Sequence, residues 1–464
     1  MEKHLNESLI EYSKTDFYPF HMPGHKRMSL PIGNPYDIDI TEIGGFDNLA
    51  HPRGLIKDIE DRLSKFYGCD RTYMLVNGST CGNLSMIYAS CKRNGNILVA
   101  RNCHKSVIHA VELKDLKADY IYPEVSEDGI QLEIAPSQVE EKLAKKHYDA
   151  LIITSPTYEG VVSDIKRLSE ICHREGTALL VDAAHGAHFG MNGFPENPVN
   201  LGADAVAVSL HKTLPMFTQT AALLVNKDSL LNRMKLEESI RIFQSSSPSY
   251  ILMSGVDRGL EFLERDGEEA AKKLNDLLLS FRRKCESLKN LKIVKYDNLE
   301  NSKIVILSLI EGFTGQMILE TLREKYHLEL EMAVGQYALA MTTVMDKENC
   351  LERLYTSLNE IDNDLEGQRR LAFSDRKELG LKVRPDKKME ISEAKESEFE
   401  LVSLDKAAGR ISYNEVCVYP PGVADLLPGE QISEDMIEYI NRNIEDGHEV
   451  EGVFDGSIYC LQEH

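Results

Sequence analysis

One lysine stands where a sheet protein would place a reactive amine. Lys212 lies in the run Ser209-Leu210-His211-Lys212-Thr213, directly after the apolar segment Ala205-Val206-Ala207-Val208. Such a segment predicts a buried strand, and open α/β sheets bind ligands at the carboxyl ends of their strands. Burial beside other cations lowers the pKa of a lysine and leaves a neutral amine that can attack a carbonyl. Most lysines are solvated surface charges, so the residue type alone is weak evidence. The hypothesis depends on the position of Lys212 at the end of a predicted strand.

A carboxylate ends a second apolar run, which places it at the same predicted edge of the sheet. Asp182 follows Leu179-Leu180-Val181, and His185 comes in the turn after it. A carboxylate there could keep a proton on an aromatic ring nitrogen of a ligand, which makes the ring an electron sink. The alternative is an aspartate that caps the following helix, and the two roles can coexist.

Two hydroxyl-rich segments are candidates for binding an anion. In residues 77–83 (Asn-Gly-Ser-Thr-Cys-Gly-Asn), Ser79 and Thr80 precede a helix predicted from Leu84, so hydroxyls and free N–H groups point at one place. Ser209 and His211 are two residues apart, so in an extended segment their side chains point to the same side and could contact the same anion. Glycine and serine turns are also common without any ligand. The second segment, residues 244–250 with Ser247, is either an ordinary turn or a further set of donors that reaches in from a partner subunit.

A histidine supplies a fourth kind of group. His104, in Arg101-Asn102-Cys103-His104-Lys105-Ser106, follows a predicted strand and could lie flat on an aromatic ring, or it could be an ordinary surface histidine. Pyridoxal phosphate (PLP) chemistry requires an amine, an acid facing the pyridine nitrogen, a phosphate cup and a partner for the ring. We therefore predict a PLP enzyme in which Lys212 holds the cofactor as a Schiff base, with Asp182 and His104 as the other catalytic groups.

The elements that must position these groups alternate between strand and helix. Helical patterns such as residues 164–175 separate the short apolar runs, which are residues 97–100, 120–122, 151–154, 179–182, 205–208 and 222–225. Parallel strands need such crossover connections, and strands buried on both faces are continuously apolar. We predict an α/β fold with a mostly parallel sheet.

The length of the chain predicts more than one structural unit. At 464 residues it exceeds the usual limit for a single hydrophobic core. Four prolines within residues 1–45 predict an extended N-terminal arm. Residues 46–265 are predicted to form the PLP-binding large domain, and residues 266–464 a smaller C-terminal α/β region. The densely charged stretch 366–400 predicts a solvated helix or connector.

Charge and cysteine usage exclude several classes of partner. The 53 Lys and Arg against 75 Asp and Glu give a formal charge of −22, which would repel a nucleic-acid backbone. No stretch is apolar enough to predict a membrane span, and no export signal is recognisable at the N-terminus. The nine cysteines form no C-x-x-C pair, which argues against a disulfide framework and a zinc ribbon. We predict a cytoplasmic protein without a metal, nucleic acid or membrane partner.

Ordered motifs along nearly the whole chain resemble the Orn/Lys/Arg decarboxylases, a family of fold-type I PLP enzymes, in a short form like the bacterial arginine decarboxylases. The motifs that carry this resemblance are Phe20-His21-Met22-Pro23-Gly24-His25-Lys26, Thr41-Glu42-Ile43, Asp47-Asn48-Leu49, residues 77–83, His104, Val181–His188, Ser209–Thr213, Ser246-Ser247-Pro248-Ser249 and Tyr419-Pro420-Pro421-Gly422. Several motifs in one order are more specific than any single motif.

The resemblance implies a role for each site residue. Lys212 matches the Schiff-base lysine, Asp182 the partner of the pyridine nitrogen, and His104 the group that stacks on the ring. His185 would lie near the phenolic oxygen of the cofactor. The phosphate contacts would be Ser79, Thr80, Ser209 and His211. The family also implies a homo-oligomer, dimer or tetramer, with the active site at the subunit interface.

The resemblance further implies removal of CO2 from a basic amino acid, and it favours arginine, which would give agmatine, over lysine and ornithine. Glu430 would lie near the substrate, and Asp425 stands where short members have an apolar residue, so both are predicted partners of the distal cation. Asp182-Ala183-Ala184-His185 departs from the usual Asp-Glu-Ala-His. The alternatives are an aminotransferase or lyase on the same fold, or a PLP-binding regulator without activity.

Overall fold

The computed structural model describes residues 4–371, 383–419, 422–445 and 447–463. Its helices are α1 Leu5–Ser13, α2 Pro35–Ile38, α3 Leu55–Tyr67, α4 Gly78–Ser90, α5 Lys105–Leu113, α6 Pro136–Lys145, α7 Ile165–Arg174, α8 Leu210–Thr213, α9 Arg233–Phe243, α10 Tyr250–Cys285, α11 Gly315–Tyr326, α12 Glu348–Asp364, α13 Ile391–Lys395 and α14 Glu434–Glu445. Its strands are β1 Tyr18–Phe20, β2 Arg71–Leu75, β3 Asn96–Ala100, β4 Lys117–Ile121, β5 Ala150–Thr154, β6 Ala178–Asp182, β7 Ala205–Val208, β8 Ala221–Val225, β9 Leu291–Ile293, β10 Lys303–Ser308, β11 Leu328–Leu330, β12 Met332–Val334, β13 Tyr337–Met341, β14 Phe399–Ser403, β15 Val416–Tyr419, β16 Val423–Leu426, β17 Glu449–Glu451 and β18 Ser457–Leu461.

Seven of these strands form the central sheet, in the order β2-β8-β7-β6-β5-β3-β4. Strand β8 is antiparallel to both of its neighbours, and the other pairs are parallel. The predicted α/β fold with a mostly parallel sheet is confirmed. Strand β4 begins at Lys117, ahead of the predicted apolar run 120–122, because it is an edge strand and its polar residues interrupt the apolar pattern.

Both faces of the sheet are covered, which explains the continuous apolar runs. Val181 and Val206 pack into a core on one face, whereas Leu180 and Ala205 pack into a core on the other. Successive side chains of a strand point to opposite faces, so each strand must be apolar throughout. The polar residues of the site can therefore lie only beyond the ends of the strands.

Helix α4 begins earlier than its pattern predicts. It starts at Gly78 instead of Leu84, because Gly78 adopts a φ of +71° that a residue with a side chain would resist. Ser79 and Thr80 therefore belong to the first turn of the helix rather than to a preceding loop. Gly82 then lets the helix approach the sheet, since a Cβ there would lie 3.0 Å from the Cβ of Ala207.

The N-terminal segment packs against the turn of residues 209–214 that carries Lys212, here called the lysine turn. Residues 5–13 form helix α1, ahead of the prolines, and β1 pairs in parallel with β11. The N–H of Gly24 donates to the carbonyl of His211 at 2.7 Å. A Cβ at Gly24 would lie 2.5 Å from the carbonyl oxygen of Leu214, so only glycine permits this approach.

The C-terminal part of the chain adds three smaller sheets, ordered β12-β13-β10-β9, β16-β15-β17 and β14-β18. Val423 bridges to His104, so residues from this part reach the edge of the central sheet.

The predicted division of the chain into domains at residues 45 and 265 stays a prediction. Of the charged stretch 366–400, residues 372–382 lie outside the described residues, as do Pro420 and Pro421 of the C-terminal motif. Within the described chain, none of the helices has both the length and the apolar character of a membrane span.

Candidate active site

A cavity of about 270 Å³ lies beyond the carboxyl ends of β5, β6 and β7. The structure brings together there eight residues that the sequence singles out: Ser79, Thr80, His104, Asp182, His185, Ser209, His211 and Lys212. They come from separate parts of the large sheet and its helices. Ser247, Asp425 and Glu430 do not line this cavity.

Lys212 and His185 form the centre of the cavity. Nζ of Lys212 lies 2.9 Å from Nε2 of His185. Burial lowers the pKa of Lys212, and the nearby Asp182 carboxylate opposes that shift. Burial, followed by the charge of Lys212, holds the pKa of His185 well below its usual value. The burial of Lys212 favours the neutral amine, which is the form that attacks a carbonyl.

Asp182 has a structural contact and a contact within the site. The residue is 2% exposed, and Oδ1 accepts from the N–H of Ala184 at 3.1 Å, in the turn after β6. Oδ2 accepts from the side-chain amide of Asn83 at 2.7 Å. In the described chain no helix directly follows β6, so Asp182 makes a turn contact instead of the helix cap that the sequence left open.

One end of the cavity is built to receive an anion. The hydroxyl of Ser209 donates to Oγ of Ser79 at 2.9 Å, which joins the lysine turn to the first turn of α4. The first N–H groups of a helix have no acceptor within the helix and carry a positive partial charge. Nδ1 of His211 lies 2.9 Å from the carbonyl oxygen of Thr220, so Nδ1 donates and the ring is fixed beside this end.

His104 lines the cavity from the start of α5. It is the N-cap of that helix, and its Nδ1 accepts the N–H of Ser106 at 3.2 Å. Burial lowers the pKa of His104, with the charge of Asp182 acting in the opposite direction. The histidine is thus a fixed, half-buried ring, which a freely rotating surface histidine would not be.

The remaining three predicted residues lie elsewhere. Oε2 of Glu430 is 3.0 Å from Nη2 of Arg101, and both side chains are buried. Asp425 accepts from the N–H of Val418 at 3.1 Å and from the hydroxyl of Tyr439 at 3.4 Å, and both of these residues line the cavity although Asp425 does not. Ser247 is exposed on the surface of the chain.

The cavity also contains residues that the sequence did not single out. Tyr158 places its ring centroid 4.2 Å from that of His185. Its neighbour Glu159 is 8% exposed and accepts the hydroxyl of Tyr337 at 2.6 Å. Tyr158 and Glu159 follow strand β5, so the strand-end argument that found Lys212 and Asp182 could have found them. Tyr337 comes from strand β13 and Tyr439 from helix α14, and neither carries a comparable signal.

The polar groups of this cavity fit pyridoxal phosphate. Asn102 Oδ1, Thr154 Oγ1 and His185 Nδ1 line it and are buried without a hydrogen-bond partner in the part of the chain that is described. Buried polar atoms normally have partners, so these indicate a polar ligand. The amine of Lys212 fits the cofactor's carbonyl, the Asp182 carboxylate its ring nitrogen, and the first turn of α4 its phosphate. Fold and site together are those of a fold-type I PLP-dependent enzyme.

Comparison with known proteins identifies the family. Residues 4–307 match Orn/Lys/Arg decarboxylase, major domain, and residues 375–455 match Orn/Lys/Arg decarboxylase, C-terminal domain. The chain belongs to the Orn/Lys/Arg decarboxylase family, as its motifs predict. It is therefore a PLP-dependent decarboxylase that acts on a basic amino acid.

Individual relatives cover nearly the whole chain. The uncharacterized protein YaaO of Bacillus subtilis (strain 168) is 32% identical over 97% of this chain and 96% of its own. An arginine decarboxylase of Bacillus anthracis is 30% identical over 99% of this chain and 97% of its own. The lysine decarboxylase LdcF of Francisella novicida superposes with a TM-score of 0.79 at 19% identity, covering 98% of this chain and 80% of that one. This last likeness concerns the fold.

Proposed function

We propose that this enzyme decarboxylates L-arginine to agmatine and CO2. The similarity to an arginine decarboxylase of Bacillus anthracis over nearly the full length of both chains supports arginine. The observation that carries the proposal is Glu159, a nearly buried carboxylate in the wall of the cavity. An arginine side chain would bring a guanidinium group to such a carboxylate.

Each residue of the cavity has a part in this proposal. When bound, PLP supplies a ring that accepts the electron pair left at the substrate's Cα as CO2 departs. Lys212 would bind the cofactor's carbonyl through its neutral amine, and Asp182 would keep the proton on the ring nitrogen. His104 would stack on the ring, and His185 would lie beside the cofactor's phenolic oxygen. The phosphate would be bound by the first turn of α4 and by Ser79, Thr80, Ser209 and His211.

Glu159 is placed to bind the distal cation. The hydroxyl of Tyr337 donates to its Oε1, while Oε2 has no hydrogen-bond partner among the described residues. The neighbouring wall includes Ala333 and Val334, so a cation there would be shielded from water. A guanidinium group donates two parallel N–H groups and suits a carboxylate in such a setting. Tyr337 would orient the carboxylate.

Glu430 and Asp425 stay our sequence-based alternatives for the distal cation. The geometry favours Glu159 over both, because it lines the cavity and they do not. Glu430 is already paired with Arg101, and Asp425 with Val418 and Tyr439. A carboxylate that already faces a buried cation, as Glu430 does, has less to offer the cation of a ligand.

The substrate is tested by measuring kcat/KM of the PLP-loaded enzyme for arginine, lysine and ornithine, with the amine products identified by mass spectrometry. We expect agmatine from arginine at the highest kcat/KM. A higher value for lysine or ornithine would refute arginine as the substrate while leaving the family intact. Formation of a keto acid in place of an amine would instead favour the aminotransferase alternative.

We further propose a cytoplasmic homo-oligomer, dimer or tetramer, with the active site at the subunit interface. Large apolar side chains are exposed on the N-terminal segment and on α9, including Tyr36 at 94%, Met234 at 69% and Ile242 at 65%. A second copy of the chain would cover such a surface. Ser247, exposed and outside the cavity of its own chain, would then reach the phosphate of the partner subunit. The cysteines are free thiols, which suits a reducing compartment.

A further inference from the structure

A chain of hydrogen bonds connects Asp182 to His104 beneath the cavity. The side-chain amide of Asn83 donates to Oδ2 of Asp182 at 2.7 Å and to Oγ of Ser106 at 3.0 Å. Oγ of Ser106 in turn lies 2.8 Å from Nδ1 of His104. Asn83 is fully buried, Ser106 is 1% exposed and Asp182 is 2% exposed, so water does not compete for these contacts.

The orientation of the Asn83 amide is fixed by the carboxylate. Its Nδ2 faces both Asp182 and Ser106, while its Oδ1 is buried without a partner in the described chain. Turning the amide over would place its oxygen against the Asp182 carboxylate, where two acceptors would repel. Both N–H groups of Asn83 are therefore committed, one to Asp182 and one to Ser106.

The donors and acceptors in this series of hydrogen bonds then determine which ring nitrogen of His104 carries the proton. A serine hydroxyl has a single hydrogen; its oxygen accepts from Asn83, and among the described residues that hydrogen has no acceptor other than Nδ1 of His104. The backbone N–H of Ser106 points at the same Nδ1, at 3.2 Å. A protonated Nδ1 would leave the hydroxyl hydrogen without an acceptor and would face the backbone N–H of Ser106. Nδ1 must therefore accept, and the single ring proton must lie on Nε2.

We propose that Asn83 and Ser106 are positioning residues that hold His104 as a neutral ring with its proton on Nε2. The ring then adds no positive charge above a cofactor whose nitrogen is already protonated, and its Nε2–H is a donor on the cavity side. The Asp182 carboxylate would thus fix two groups, the ring nitrogen of the cofactor directly and His104 through Asn83 and Ser106. This inference rests on the proposed roles of Asp182 and His104.

The test is a 15N NMR measurement of histidine-labelled holoenzyme, in which the signals of His104 are assigned by their loss in His104→Gln. We expect an unprotonated Nδ1 and a protonated Nε2 between about pH 6 and about pH 9, on either side of the usual histidine pKa. A protonated Nδ1 in the wild-type enzyme overturns the proposal. Because this readout needs no turnover, it does not depend on whether arginine is the substrate.

Two variants separate this role from helix capping. Ser106→Ala keeps the backbone N–H that His104 caps but removes the hydroxyl, so the Nδ1 and Nε2 shifts should move towards each other as the second tautomer appears. Ser106→Thr retains a hydroxyl and should keep the wild-type shifts. Asn83→Ala removes the donor that orients the Ser106 hydroxyl, and should also allow a proton on Nδ1. Wild-type shifts in Ser106→Ala, or in Asn83→Ala where Ser106→Ala does not fold, would overturn the proposal.

Discussion

Nζ of Lys212 lies 2.9 Å from Nε2 of His185, in the cavity at the carboxyl ends of the central strands. Burial lowers both pKa values, and the charge of Lys212 depresses that of His185 further. Two basic groups in contact are unusual in a protein interior, where polar groups generally have a partner of opposite character. This arrangement leaves the amine of Lys212 ready to bind a carbonyl.

Removing the amine should abolish attachment of the cofactor. We expect Lys212→Ala to lose the visible absorbance band of PLP-loaded protein and at least ~10³-fold in kcat, since no other group can replace a nucleophile. Lys227, exposed on the surface, provides the matched control, and Lys227→Ala should keep both properties. A Lys212→Ala protein with the wild-type absorbance band would refute the assignment.

Acid should destabilise the cofactor-free protein through His185. Its pKa in the folded protein lies well below the value of 6.5 that it regains on unfolding. Below that value the unfolded chain binds a proton that the folded protein does not, so stability is lost as pH falls and is constant above it. The loss approaches about 1.4 kcal/mol per pH unit for one such group.

His185→Gln isolates this contribution, because other buried histidines titrate equally in both proteins. Melting temperatures of wild type and variant should be compared at about pH 7.5 and about pH 5.5, on either side of the normal histidine pKa. The wild-type melting temperature should fall more than that of the variant on acidification. Equal falls in both proteins would mean that His185 is protonated in the folded state.

Neutralising Glu159 should weaken substrate binding more than catalysis. We expect Glu159→Gln to raise KM for arginine ~10- to 100-fold, the value of a charge-assisted contact, with a smaller effect on kcat. The visible absorbance of bound PLP should stay unchanged. Glu269→Gln, an exposed substitution on α10, is the control. If the pair Glu430→Gln and Asp425→Asn raises KM and Glu159→Gln does not, the sequence-based assignment of the distal cation is right instead.

The ion pair between Arg101 and Glu430 should matter for stability. Glu430→Gln leaves the Arg101 guanidinium buried without a counter-charge, which should lower the free energy of unfolding by about 3 kcal/mol. Replacing both residues, with Arg101→Met and Glu430→Leu, should recover part of that loss. Thermal unfolding measures the effect, and a Glu430→Gln melting temperature equal to wild type would contradict it.

Subunit mixing tests whether Ser247 serves the partner subunit's cavity. Ser247→Glu would place a negative charge against the phosphate, so we expect it to be inactive alone, as is Lys212→Ala. In a mixed dimer one cavity would keep both wild-type residues, and random exchange should restore about a quarter of the wild-type activity. Ser287→Glu, also exposed, should be active by itself. No restoration on mixing would contradict a shared site.

The sequence predicts the large sheet from its apolar runs, and it predicts much of the cavity from the polar residues that directly follow those runs. Strands buried on both faces leave continuous apolar runs, and Lys212 and Asp182 stand directly after two of them. Polar residues cannot be accommodated inside such strands, so they collect at the ends. The edge strand β4 and the early start of α4 escape prediction, because the first is half exposed and the second depends on the φ of Gly78.

What the sequence could not predict is the set of long-range contacts. Asn83 and Ser106 are adjacent to predicted residues, but their bond to each other joins α4 to α5 and depends on how these helices pack. Tyr337 reaches Glu159 from a different sheet. Glu430 belongs to a family motif, yet its pairing with Arg101 is visible only in three dimensions. Such pairings depend on tertiary packing, which local patterns do not encode.

The most direct test is to incubate arginine labelled with 13C in its α-carboxyl group with the PLP-loaded enzyme and, separately, with Lys212→Ala, and to measure where the label goes. We predict that the wild-type enzyme releases labelled CO2 and unlabelled agmatine in equal amounts, and that Lys212→Ala releases neither. Retention of the label in a keto acid, or no amine from arginine, lysine or ornithine, would contradict it.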